Sequence, residues 1–173
     1  MQRQLAFTAA AYLALAGAAA AARVPAPLVH CDAGQAVANP PLAATPRIVL
    51  GRLAMTPTQL RYVVKRTDVK RFRWWSKAPL AIRAGTSVTL TVPSAWRTRV
   101  GITYGDFPPD ASAASLRFQT CPGRSWHIYP GGFFTTTPLC FPLDITVGSQ
   151  RTRIQTGMGI RCPTTRAIRS SQP

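Results

Sequence analysis

A single antiparallel β-sandwich-like domain follows from three features of this chain. Sixteen prolines and twelve glycines interrupt its 173 residues. No glutamate occurs anywhere, although glutamate is a staple of exposed helical faces, and proline removes a helical donor, so long surface helices have little support. The apolar residues, finally, recur with a period of two, the repeat of a strand that buries one face.

The first element is a leader. Met1-Gln2-Arg3-Gln4 carries one positive charge, and Leu5 to Ala22 then runs eighteen residues without any, the build of a secretory signal peptide. Ala20-Ala21-Ala22 supplies a small-x-small cleavage pattern and places the mature start near Arg23, with Ala18-Ala19-Ala20 as a competing site. Left uncleaved, residues 1–22 would be a short membrane anchor, but alanine gives little hydrophobicity per residue and no basic cluster follows. Lipid attachment at Cys31 is disfavoured because His30 stands where a lipoprotein signal takes a small residue. The expectation is a bacterial protein that is secreted or associated with the cell envelope.

Residues 23–46 hold Pro25, Pro27, Pro40, Pro41 and Pro46 among small residues and read as an extended arm. The sandwich domain is expected over 47–162, and the polar tail 163–173, with Arg166 and Arg169, outside it. Val88, Leu90 and Val92 alternate with hydroxyl side chains in a strand that Pro93 ends. Arg99 to Tyr104 and Ser115 to Thr120 repeat the alternation between Gly, Pro and Asp breakers. Phe141, Leu143, Ile145 and Val147 form a further apolar face, and Gly148-Ser149 suits a type II′ hairpin turn into Gln150 to Thr156. Arg47 to Ala54, Leu60 to Lys65, Leu80 to Arg83 and Phe133 to Thr137 add candidate strands, for seven to nine in all. The Cys, Trp, Cys spacing of antibody domains is absent.

Cys31, Cys121, Cys140 and Cys162 all follow the leader, and in an exported chain they are expected to form two disulfides. Three pairings are possible. Loop locality favours Cys121 with Cys140, which leaves Cys31 with Cys162 to tie the termini together. Strand phase puts Cys121 with Arg117 and Gln119, and Cys140 opposite in phase to Phe141, so both sulfurs are expected off the core face. No C-x-x-C pair occurs and the two histidines, His30 and His127, lack ligand partners at zinc-finger spacing, so neither metal nor cofactor is expected.

From Arg23 onward twenty Lys and Arg face five Asp, a formal charge near +15. Eighteen of the chain's twenty-one basic residues are Arg, which codon bias in a GC-rich bacterial genome also produces. The densest stretch has Arg61, Lys65, Arg66, Lys70, Arg71, Arg73 and Lys77 around Tyr62, Phe72, Trp74 and Trp75, with Asp68 alone opposing. Cations attract phosphates over a Debye length of about 8 Å, and an exposed indole stacks on a base, a sugar ring or a lipid headgroup. Arg61, Lys65, Arg66, Lys70, Arg71, Arg73, Trp74, Trp75 and Lys77 are therefore the candidate contact for an anionic envelope polymer, lipid headgroups or nonspecifically bound nucleic acid. The alternative is that Trp74 and Trp75 cap the core beside a solvated edge strand. Trp126, Tyr129, Phe133 and Phe134 surround Pro130-Gly131-Gly132, where two glycines permit a tight reversal. With Trp74 and Trp75, Trp126 supports a second reading, a carbohydrate-binding module. Trp96 is expected to pack at a strand end.

Catalytic chemistry finds little support. A carboxylate pair would need Asp106 and Asp110 in a Pro-rich turn, Gly-x-Ser-x-Gly is missing, and Ser125 beside His127 has no orienting acid. Cys121 and His127 have the flavour of a cupredoxin loop, but Met158 and His30 lie far from it. Leu116 to Cys121, a Thr-Cys ending a strand, is similar to sortases, a resemblance that implies a Cys121 thiolate, an activating His and an oxyanion-stabilising Arg151 or Arg153. His30 is the only upstream histidine, and the sortase Leu between two threonines is missing. The chain reads as a non-enzyme.

Trp126, Pro130 to Phe134, Pro138-Leu139-Cys140, Pro142-Leu143, Val147-Gly148 and Gly159 to Cys162 resemble small secreted proteins of actinobacteria, a likeness that spans most of the chain. It implies only a signal peptide, a β domain and disulfides.

Overall fold

A computed structural model of the chain describes residues 25–39, 47–55, 59–60, 64–65, 71–105 and 112–163. Residues 1–24, where the leader is expected, and all of the tail beyond Pro163 lie outside them. In chain order the strands are β1 (Leu28–Val29), β2 (Gln35–Val37), β3 (Arg47–Val49), β4 (Leu53–Met55) and β5 (Gln59–Leu60). Next come β6 (Val64–Lys65), β7 (Trp74–Lys77), β8 (Leu80–Arg83), β9 (Val88–Thr91) and β10 (Val100–Tyr104). The last five are β11 (Ser115–Phe118), β12 (Trp126–Tyr129), β13 (Gly131–Thr135), β14 (Leu139–Val147) and β15 (Gln150–Met158). One-turn 3-10 helices at Cys31–Ala33 and Ser94–Trp96 are the helical structure among the described residues.

Three sheets result, in the orders β1-β11-β9-β14-β15-β5, β10-β13-β7-β6 and β2-β12-β8-β4-β3. Pairing is antiparallel except at the two-residue edges β1 and β5, which run parallel to their neighbours. The second and third sheets are two halves of one bent layer. β7 and β8 face β13 and β12 in a single register from Trp74↔Thr135 to Arg83↔Trp126, and at the bend the Ala78 amide donates to Gly131 O at 2.8 Å. Pro79 and Pro130 lie at this bend, where a missing donor interrupts the ladder without loss.

The bent layer packs over the six-stranded sheet through an aromatic seam: Phe133 lies 5.5 Å from Phe141, Tyr104 5.8 Å from Phe118, and Tyr129 5.0 Å from Phe118, all edge-on. One continuous core joins both layers, including Val88, Leu90, Leu143, Ile145, Leu80 and Ile102. The Tyr104 hydroxyl donates to Ala78 O at 2.8 Å, and complete burial pushes its pKa far above the usual phenol range.

Several expectations need correction. The disulfides join Cys31 to Cys121 and Cys140 to Cys162, not Cys121 to Cys140 and Cys31 to Cys162. Phase explains the error. β11 stops at Phe118, so alternation no longer governs Cys121, which turns into the core beside Tyr129, whose hydroxyl donates to its sulfur at 3.0 Å. Cys140 does keep to the outer phase of β14, half-buried, within reach of Cys162 past the end of β15.

The stretch 23–46 is not an arm throughout. β1 adds to β11, with the Arg117 amide donating to Pro27 O, and β2 adds to β12, so the domain begins before residue 47. Val29 is buried, and the Cys31–Cys121 bond fixes the intervening turn. Apolar periodicity did not signal these strands because each is too short to show a period.

Gly131 and Gly132 do not reverse the chain. They begin β13 just past the bend, where the absence of side chains lets strands approach closely. Arg47 to Ala54 is a hairpin rather than one strand, turning at Leu50 and Gly51, both at positive φ. Leu60 to Lys65 divides between β5 and β6 in different sheets. Leu80 to Arg83 is β8 as expected, and Gly148 takes the positive φ that a II′ turn needs.

Candidate polyanion-binding surface

Successive residues of a strand point to opposite faces, so the neighbouring tryptophans of β7 part company. Trp74 belongs to the row Val100, Thr135, Trp74, Lys65, on the face that also carries Ile102 and Phe133 into the core. Trp75 belongs to the row Gly101, Phe134, Trp75, Val64 on the outer face. Its ring stands 6.4 Å from that of the fully buried Phe134. Gly101 leaves room for Phe72, whose Cε2 would lie 3.0 Å from any Cβ there. The strip continues at the edge into Val64, 56% exposed.

Cations surround this strip. Lys77 shares the outer phase of Trp75 and Arg73 precedes the strand in the same phase; both are exposed, whereas Lys65, also exposed, lies in the Trp74 row on the other face. The turn after β9 brings two more. Arg71 Nη2 donates to Arg97 O and Arg97 Nε to Val92 O, each at 3.2 Å, while the Arg99 guanidinium lies 4.2 Å from the Trp96 ring centroid. Arg71 covers Phe72 in the same manner at 4.8 Å. Among the described residues the one salt bridge joins Arg153 to Asp144, on the other layer, so none of Lys65, Arg71, Arg73, Lys77, Arg97 and Arg99 has a carboxylate partner there.

Of the residues expected at the contact, Arg71, Arg73, Trp75 and Lys77 lie together around the outer face of β7, and Lys65 shares the Trp74 row on the other face. Arg61, Arg66 and Lys70, with Tyr62 and Asp68, lie outside the described residues, as do Asp106 and Asp110. Trp74 does not join the surface. Arg97 and Arg99 were missed, although Trp96-Arg97-Thr98-Arg99 repeats the Trp/Arg composition of the first stretch.

The other aromatic group is dispersed. Tyr129 and Phe133 face the core, Phe134 supports Trp75, and Trp126 covers Ala54 and Ala81 with Ile128 on the five-stranded sheet. No shared stacking platform links Trp74, Trp75 and Trp126. Cys121 has no thiolate to offer sortase-like chemistry, since its sulfur is bonded to Cys31. Among the described residues no three His, Cys, Asp or Glu side chains gather as metal ligands.

Among the described residues Thr135, Thr156 and His127 leave buried polar side-chain atoms unpaired, and His127 does so with two. It occupies the inward row of β12 opposite Ile82 and Ala36, and both ring nitrogens are buried without hydrogen-bond partners. A buried polar group left unpaired costs about 1–3 kcal/mol, so His127→Leu is expected to raise stability by about 1 kcal/mol in urea unfolding. A loss of stability would show that the imidazole has a partner.

No protein-family model, no curated protein and no solved structure matches the chain.

Proposed function

We propose that this protein is a secreted, non-enzymatic binding protein of the bacterial envelope or medium that associates with anionic polymers through the outer face of β7 and the neighbouring Ser94–Arg99 turn. The observation that carries the reading is the set of five exposed cations, Arg71, Arg73, Lys77, Arg97 and Arg99, around half-buried Trp75, with no carboxylate partner for them among the described residues. Export is supported by the charged-then-apolar N-terminus and by two disulfides, which persist in oxidising compartments. A phosphate-bearing chain is the partner this chemistry fits. Guanidinium and ammonium groups hold the phosphates, and the indole rests on the intervening sugar or base.

Binding to a double-stranded DNA probe, followed by anisotropy at two salt concentrations, tests the reading. If about five phosphates are contacted, affinity should fall by about five-hundredfold between about 50 and 200 mM salt. On a single-stranded DNA probe, whose bases are free, Trp75→Ala should weaken binding by about 1–3 kcal/mol if the indole stacks on the ligand. Binding that ignores salt and instead follows neutral glycans would replace this reading with the carbohydrate one.

A further inference from the structure

We infer that the protein bridges two anionic chains, using a second basic face on the opposite side of the sandwich. The inference rests on the proposed polyanion binding and adds a second site to it. Phe141, Leu143 and Ile145 of β14 point into the core, so the residues between them point away from both layers. The register then lays out two rows across four strands of the six-stranded sheet. One is Arg117, Thr89, Thr146, Arg151, and the next is Ser115, Thr91, Asp144, Arg153.

Strands about 4.8 Å apart put Arg117 and Arg151 about 14 Å from each other over a floor of two threonines. Both arginines are exposed while Thr89, Thr91, Thr146 and Ser115 are half-buried, so nothing bulky stands between the guanidiniums. The floor is tied down: Thr91 and Ser115 share a hydrogen bond of 2.8 Å, and Ser115 donates to Leu90 O at 3.0 Å. Arg153 is held by both oxygens of Asp144. Arg117 and Arg151, without carboxylate partners among the described residues, are therefore the cations free to take phosphates.

This face and the Trp75 surface lie on opposite layers. Sheets stack about 10 Å apart, and outward side chains on each side place two bound chains about 20 Å from one another. That exceeds the Debye length of about 8 Å at physiological ionic strength, so the first chain does not repel the second. The second face has fewer unpaired cations and no exposed aromatic ring, and it is the weaker of the two.

The test uses the mature protein with inorganic polyphosphate in two labels. Long chains are fixed to beads through biotin, protein is added, and fluorescent long chains are then offered. Wild-type protein should capture the second label, and Arg117→Ser/Arg151→Ser should lose capture by about tenfold or more while binding free short polyphosphate as wild type does within a few-fold. An Arg52→Ser/Arg124→Ser variant, equal in lost charge but on the five-stranded sheet's turns, should capture normally. Capture retained by the Arg117/Arg151 variant, or lost equally in the Arg52/Arg124 variant, overturns the second face. Direct binding without any capture overturns bridging and leaves the first surface standing. No direct binding overturns both.

Discussion

Replacing Cys31 and Cys121 together by alanine is expected to cost about 4–5 kcal/mol, against about 3 kcal/mol for Cys140 and Cys162, because loop-closure entropy grows with the length of chain enclosed. The first bond spans a sequence separation of 90 and the second 22. Packing adds to the difference. Cys121 is buried and accepts the Tyr129 hydroxyl, so its loss leaves both a cavity and an unpaired phenol, whereas Cys140 and Cys162 are half-buried. A domain of this size holds about 5–15 kcal/mol in total, so the longer bond is a large share of it. Urea unfolding of the two double variants gives the ranking directly. The same variant should speed amide exchange at Leu28–Val29, which the Cys31 turn holds against β11. A larger loss from the shorter loop would contradict this account of the fold.

The strands legible in the sequence are those that alternation encodes. Val88 to Val92, Arg99 to Tyr104, Ser115 to Thr120 and the hairpin from Phe141 to Thr156 each show several periods, and each is a strand close to the expected bounds. Strands of two or three residues carry no period, so β1, β2, β5 and β6 left no trace as separate elements. Phase also fails as soon as a strand ends, which is why Cys121 was expected at the surface when it is in the core. Leu80 to Arg83 and Phe133 to Thr137 were expected as separate strands, but the continuity of the ribbon Trp74 to Arg83 against Trp126 to Thr135 was hidden by its own prolines and glycines, which read as a loop or a turn but mark a bend within paired strands.

The candidate surface was legible in composition and not in geometry. Alternation alone separates Trp74 from Trp75, and applying it to that dipeptide would have halved the aromatic cluster beforehand. Arg97 and Arg99 could not be placed, because tertiary contacts bring their turn beside β7: Arg71 with the Arg97 carbonyl, and the Thr136 amide with the Arg99 carbonyl. Arg117 and Arg151 lie 34 residues apart in the chain, and only the order of the six-stranded sheet aligns them in one row.

Gly132→Ala is expected to destabilise the protein by about 3 kcal/mol or more, since it forces backbone movement instead of side-chain repacking. A methyl at Gly132 would collide with the Ser76 carbonyl oxygen and lie 3.1 Å from the Ala78 amide nitrogen, both backbone atoms of the strand pair it belongs to. Neither can yield without opening the register between β13 and β7 at the bend. Lys77 pairs with Gly132 and Trp75 with Phe134, so the substitution should also displace the cation and the indole of the proposed surface and weaken polyanion binding. Gly148→Ala is the control. Gly148 has φ of 58° but open space around its Cβ position, so the cost there is about 1–2 kcal/mol of left-handed strain with no collision. Chemical unfolding of both variants separates the two mechanisms. If Gly132→Ala costs no more than Gly148→Ala, the close approach of β13 to β7 is wrong, and the orientation of Trp75 that depends on it is lost as well.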